Sequence, residues 1–168
     1  MDKKIDIDFY GFFKTGEFAG LKFGLTKAQV LENFPVPDGY TSLDYVDNEI
    51  SDIWNYGNIE LHFYRNELSL IFSDYIQNFL DGGTSLTLNK WILENPENLS
   101  LIQVISELNQ NLIDFTKVSV PQYGFVELLI KSSQVVLTFL DVFSFDSLPL
   151  HTQDINALKL ISFALKFA

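Results

Sequence analysis

Residues 25–34 read LTKAQVLENF, and 74 positions later residues 99–108 read LSLIQVISEL. The shared pattern is Leu-(Thr/Ser)-x-x-Gln-Val-(Leu/Ile)-x-x-(Phe/Leu). Each copy carries the chemistry of a helix start. Thr26 and Ser100 are N-cap residues whose side-chain oxygens can accept from an orphan N–H of the first turn. Gln29 and Gln103, three positions on, can reach back to the cap's own N–H and complete a capping box. Leu25 with Val30, and Leu99 with Val104, then hold the two positions of a hydrophobic staple. A helix start written twice predicts a duplicated unit.

The residues after each copy extend the parallel. Pro35 stops the first helix, and Pro37-Asp38-Gly39 is turn chemistry. A strand at 43–46 and then one at 50–56 are expected, with Gly57-Asn58 as a two-residue hairpin turn. In 59–64 the side chains Ile59, Leu61 and Phe63 alternate with Glu60, His62 and Tyr64, which places the two sets on opposite faces. A strand at 68–74 with Leu70 and Phe72 inward completes a meander. Asp81-Gly82-Gly83 opens a bridge that includes a short strand at 85–88. The second helix runs from 99 to about 111, with Leu101, Val104, Ile105, Leu108 and Leu112 as an apolar stripe. Strands at 115–120, 125–131, 134–141 and 158–167 follow, and Val135-x-Leu137-x-Phe139 echoes Ile59-x-Leu61-x-Phe63 at an offset of 76. The segment LKLISF, from Leu158, parallels LSLIF, from Leu68. Each helix is expected to bury Val30, Leu31 and Phe34, or Val104, Ile105 and Leu108, against its own sheet. The fold class is therefore α+β, in two tandem units. Residues 1–80 hold an N-terminal strand, a Gly-punctuated loop and the first unit, and 81–168 hold the bridge and the second. One compact domain accommodates both.

Composition limits the chemistry. The 168 residues include 16 Phe, 7 Tyr and 2 Trp, ample apolar surface for a core, and no Cys. Thiolate catalysis, disulfides and cysteine zinc sites are thereby excluded. Asp6 and Asp8 interrupt the N-terminal stretch where a signal peptide needs an apolar run, and no apolar run is long enough for a membrane helix. A cytoplasmic protein with no membrane partner is the expectation. Net charge is −11, which repels a phosphate backbone, so nucleic acid is not an expected partner. The acids cluster. No Lys or Arg lies between Lys27 and Arg65, while Glu32, Asp38, Asp44, Asp47, Glu49, Asp52 and Glu60 all do. Such a stretch is either solvated surface or a docking face for a basic partner.

Gly24-Leu25-Thr26, Val30, Pro35 or Pro37, and Trp54-Asn55-Tyr56 together resemble the helix-plus-antiparallel-sheet repeat of the β-lactamase inhibitory protein and of small outer-membrane assembly lipoproteins. The likeness covers about residues 20–76, and 99–165 follow by internal similarity. A second likeness, in size and charge, is to acidic cytoplasmic immunity proteins of bacterial toxin systems. Both imply a fold that works by binding another protein.

Catalytic signals are sparse. Glu60 and His62 share one strand face and can form a carboxylate–imidazole pair. His151 is 89 positions away. Phosphate-loop, dinucleotide, nucleophile-elbow and HExxH motifs are absent. Asp44, Asp47, Glu49 and Asp52 lack the spacing and the Gly of a calcium loop. No catalytic residue, metal site or cofactor is expected. The candidate partner-binding residues are Asp44, Asp47, Glu49, Asp52, Trp54, Tyr56, Glu60, His62 and Tyr64. The functional expectation is a non-enzymatic inhibitor or immunity-type module that occludes a basic protein. The alternative is a small-ligand or housekeeping module with an apolar pocket on the sheet.

Overall fold

The computed structural model describes residues 4–44, 50–74, 76–120, 124–140 and 157–166. Strand β1 (Ile5–Asp8) leads into helix α1 (Phe9–Thr15), and α2 (Lys27–Asn33) precedes the strands β2 (Gly39–Asp44), β3 (Ile50–Tyr56), β4 (Ile59–Tyr64) and β5 (Glu67–Ser73). Then come β6 (Leu86–Asn89), two 3₁₀ turns, α3 (Leu101–Gln110), β7 (Phe115–Val120), β8 (Phe125–Ile130), β9 (Val135–Leu140) and β10 (Lys159–Lys166). Eight strands form one antiparallel sheet in the order β2-β3-β4-β5-β10-β9-β8-β7, while β1 and β6 make a separate parallel pair. That pair joins residues from either side of position 80.

Both capping boxes form. Thr26 Oγ1 accepts from the Gln29 N–H at 3.3 Å, and Gln29 Oε1 accepts from the Thr26 N–H at 2.9 Å. At Ser100 and Gln103 the same two bonds are 3.4 and 2.8 Å. The residue before each cap is tied to the last strand of its meander. Leu68 N–H donates to Leu25 C=O at 2.8 Å, and Leu160 N–H to Leu99 C=O at 3.0 Å. Leu160 therefore takes the role of Leu68, two positions from the register that LKLISF and LSLIF suggest. Thr26→Ala and Ser100→Ala should each cost roughly 0.5–2 kcal/mol, the usual worth of a cap. A lower urea midpoint at unchanged slope is the expected reading; unaltered midpoints would mean that strand contacts alone hold the helices.

Several expectations give way. Residues 9–15 form a helix where a continued strand and loop were expected. Asp8 caps it by accepting from Gly11 N–H at 3.1 Å, and Phe9, Phe12 and Phe13 form a buried i, i+3, i+4 face. Gly11, one of the glycines of the expected Gly-punctuated loop, lies within the helix. Strand β2 begins at Gly39, ahead of the expected start at Leu43, and positions 45 and 46 of the expected strand lie outside the described residues. The register of β5 shifts between His62 and Phe63, and this bulge sends Leu70 and Phe72 outward, opposite His62 and Glu60. Leu31 is 44% exposed, because α2 buries only Val30 along its short length. Leu112 is 91% exposed, because α3 stops at Gln110 and Leu112 adopts a φ of +54°.

The core lies on one face of the sheet. Trp54, Tyr56, Leu61, Phe63, Leu68, Ile71, Phe163, Leu137 and Leu128 project from the strands toward Val30, Val104 and Leu108 of the helices. Helix α1 covers the middle, where Phe163 lies 5.4 Å from Phe9 and 5.7 Å from Phe12, ring centre to ring centre.

Candidate functional site

The opposite face belongs to no described core. Strand register aligns Gly39, Asn55, Glu60, Phe72, Ala164, Val136, Leu129 and Thr116 in one row across all eight strands. Ile53, His62 and Leu70 form part of the next row. None of the apolar members of these rows joins the hydrophobic cluster beneath the helices. Ile53, Leu70, Phe72, Val136 and Leu129 are half-buried.

Polar chemistry gathers at the β4–β5 end of this face. Glu60 Oε2 and His62 Nε2 are 2.7 Å apart, and the His62 ring meets the Phe72 ring edge-on at 5.9 Å. Asp74 continues the outward alternation past Phe72. Its carboxyl is raised above the ordinary carboxylate value, first by burial and then by the negative charge of Glu60, against the partial relief of its own backbone and His62. Tyr64, two positions beyond His62 on the same strand, is 43% exposed, with the Arg65 guanidinium 5.1 Å from its ring centre.

The nine sequence-selected residues divide between faces. Glu60, His62 and Tyr64 stand together on the outer face, as their alternation predicts. Trp54 and Tyr56 point inward and are 5% and 0% exposed, so they offer a partner no surface. The Tyr56 hydroxyl donates to Pro35 C=O at 2.8 Å, and burial, with Tyr40 and Asp38 adding to it, pushes the phenol's pKa up. Asp52 also faces inward, where it pairs with Lys27 at the start of α2. Lys27 lies 5.8 Å from the Phe63 ring centre, and burial lowers its pKa. Asp44 closes β2, and its side chain lies outside the described residues. Asp47, Glu49 and His151 lie outside them as well. Sequence reading omitted Asp74, Phe72 and Leu70. The bulge that turns β5 over has no local signature, although Asp74 sits at the alternation distance from Phe72.

Among the described residues no group of three or more His, Asp or Glu side chains is placed to hold a metal ion. Nor is any described helix long and apolar enough to cross a membrane. Compared with known proteins, the chain matches no family model, no curated protein and no solved structure. Its class is defined by its own architecture, an α+β protein with a mostly antiparallel sheet.

Proposed function

We propose that this chain is a non-enzymatic protein-binding module, built of two copies of a helix-plus-four-strand unit, that receives a basic protein on the open face of its sheet. The observation that carries the reading is the row from Glu60 through Phe72 to Leu129. It offers half-buried apolar surface beside two carboxylates, Glu60 and Asp74, that repel each other. A Lys or Arg placed between them relieves that repulsion, and Phe72 and Tyr64 supply the aromatic area common in binding hot spots. The negative charge of the whole chain steers such a partner in. Duplication is supported by the paired capping boxes, by the matching Leu25–Leu68 and Leu99–Leu160 bonds, and by bulges at corresponding places in β5 and β10. An inhibitor or immunity-type role, the one implied by the resemblance to tandem helix-plus-sheet inhibitors, fits a module that occludes its partner.

The test pairs Glu60→Gln with Asp74→Asn and captures partners from the native lysate at low salt. A basic protein held by the native chain, released by added salt and lost by the variant, is the expected outcome. Equal retention by both forms would place the binding surface elsewhere. Asp74→Asn alone should raise stability at neutral pH by roughly 0.5 kcal/mol, since a raised folded pKa means that the ionised form costs the native state. That gain should vanish as pH falls and Asp74 protonates. A loss of stability in urea at pH 7 would contradict the repulsion.

A further inference from the structure

Three distant parts of the chain meet around a cavity of about 480 Å³ that is lined by none of the residues of the open sheet face. They are the end of α1, with Lys14 and Thr15, residues 112–114 after α3, and the β8–β9 turn, with Lys131 and Ser132. The volume is within the range of small-ligand sites. Its walls are tied to one another. Ser132 Oγ donates to Lys14 C=O at 2.7 Å, and Lys131 N–H to Asp114 C=O at 2.9 Å.

Leu112 is the residue that the fold does not account for. Helix α3 closes with a Schellman motif, in which Leu112 N–H donates to Asn109 C=O at 3.1 Å and Ile113 N–H to Leu108 C=O at 2.9 Å. The left-handed position of that motif usually falls to Gly, because a Cβ there is strained. Here it holds Leu112, at a φ of +54° and 91% exposed. Ile113, next to it, is the side chain that is buried. Strain in a residue whose side chain is left in water serves no packing, and such strain is characteristic of binding sites.

The lining also runs against the charge of the chain. Lys14 and Lys131 stand in it against one carboxylate, Asp114, and neither ammonium is ion-paired among the described residues. Lys14 Nζ donates to the Tyr10 hydroxyl at 3.3 Å and lies 5.4 Å from that ring's centre. Other hollows carry the opposite sign. The one beside Lys4 has Asp6 and Glu32, and the one beside Tyr64 has Glu67.

We propose that this cavity binds a small organic anion, a carboxylate bearing a short apolar chain. Lys14 and Lys131 hold the carboxylate, and the chain lies over Leu112, which thereby leaves water.

The probe is octanoate, titrated into the full chain and followed by amide and methyl spectra, with acetate and octylammonium alongside. Octanoate should shift the signals of Leu112, Asp114 and Lys131 saturably. Acetate, which lacks the chain, should bind about tenfold more weakly, and octylammonium should leave those signals in place. Lys14→Gln with Lys131→Gln should weaken octanoate about tenfold or more. Leu112→Gly should weaken it about fivefold and yet melt about 2 °C higher, since Gly relieves the left-handed strain. Glu60→Gln with Asp74→Asn should leave octanoate affinity unchanged, which separates this cavity from the sheet face. Octylammonium bound as tightly as octanoate, undiminished affinity in the double lysine variant, or no shift at Leu112 overturns the proposal. Leu112→Gly that melts lower, or binds octanoate like the native chain, overturns it as well. An acetylated hexapeptide of alternating Leu and Asp held at least tenfold tighter on the same residues would give the cavity to an acidic partner protein, and would overturn it too.

Discussion

Phe163→Ala should cost about 3–5 kcal/mol, a large share of the 5–15 kcal/mol that a domain of this kind typically possesses. Phe163 is fully buried on β10. It faces Ser73 of β5 and Leu137 of β9, so it sits where the only described strand pair between the two meanders is made. Phe9, Phe12 and Phe13 of α1 all lie within 6.1 Å of its ring centre. Truncation removes the apolar contact of three aromatic neighbours at once and leaves a cavity that a helix pinned by β1 and a hydrogen-bonded sheet cannot close. Phe163→Leu keeps most of the volume and should lose about 1.5 kcal/mol or less. Val118→Ala, on the exposed edge strand, should stay within about 0.5 kcal/mol. Urea unfolding followed by near- and far-ultraviolet circular dichroism separates the three. If Phe163→Ala costs no more than Val118→Ala, the two meanders do not depend on the α1 wedge.

Features decided by neighbours in sequence were legible. Thr26–Gln29 and Ser100–Gln103 announce their helices because a capping box is closed within four residues. The faces of β4 and β9 follow from alternation, and Gly57-Asn58 marks its hairpin. What was not legible depends on distant atoms. Helix α1 has Gly11 inside it and alternation just before it, so local propensity argued for strand and turn; burial of Phe9, Phe12 and Phe13 against Phe163 overrides that preference. The bulge in β5 lies next to Leu68, which pairs with Phe63 and bonds to Leu25, and it reverses the facing of Leu70 and Phe72. This reversal decides the candidate site. Without it Phe72 would lie in the core, and the outer face would lose its aromatic centre. Trp54 and Tyr56 were ambiguous on the same ground, since strand alternation puts them with Asp52 and only the partner strand says which side is covered.

The two meanders also differ in how they are tied at their turns, and the N-terminal half carries a device with no counterpart among the described residues of the other. Asp38 accepts from Gly57 N–H at 3.0 Å and Thr84 N–H at 3.2 Å, and the Thr84 hydroxyl donates to the same carboxylate. Asn58 adds bonds to Phe79 C=O and Asp81 N–H, at 2.7 and 2.8 Å. The approach to β2, the β3–β4 turn and the bridge before β6 are thereby clasped together. Space for this exists because two glycines meet there. Gly57 and Gly83 have φ of +61° and +64°. A Cβ on Gly57 would stand 2.6 Å from Gly83 N and closer still to Asp81 C=O, and one on Gly83 would enter the Asp38 carboxylate.

Gly57→Ala should therefore cost about 3 kcal/mol or more, combining left-handed strain with a clash against backbone that cannot yield. Asp38→Asn tests the same clasp by charge. Burial opposes ionisation of Asp38, but the donors of Thr84 and Gly57, helped by Lys4, outweigh it and hold the carboxyl below its ordinary value. A folded pKa below the unfolded one contributes stability above about pH 3.9 and loses it as pH falls through the folded value. The gap between native protein and Asp38→Asn should thus be steady from pH 7 to 5 and narrow toward pH 3, in urea unfolding at each pH. A gap as wide at pH 3 as at pH 7 would mean that the carboxylate's charge contributes nothing to the clasp. Gly57→Ala, which acts by shape and not by charge, should lose the same stability at both.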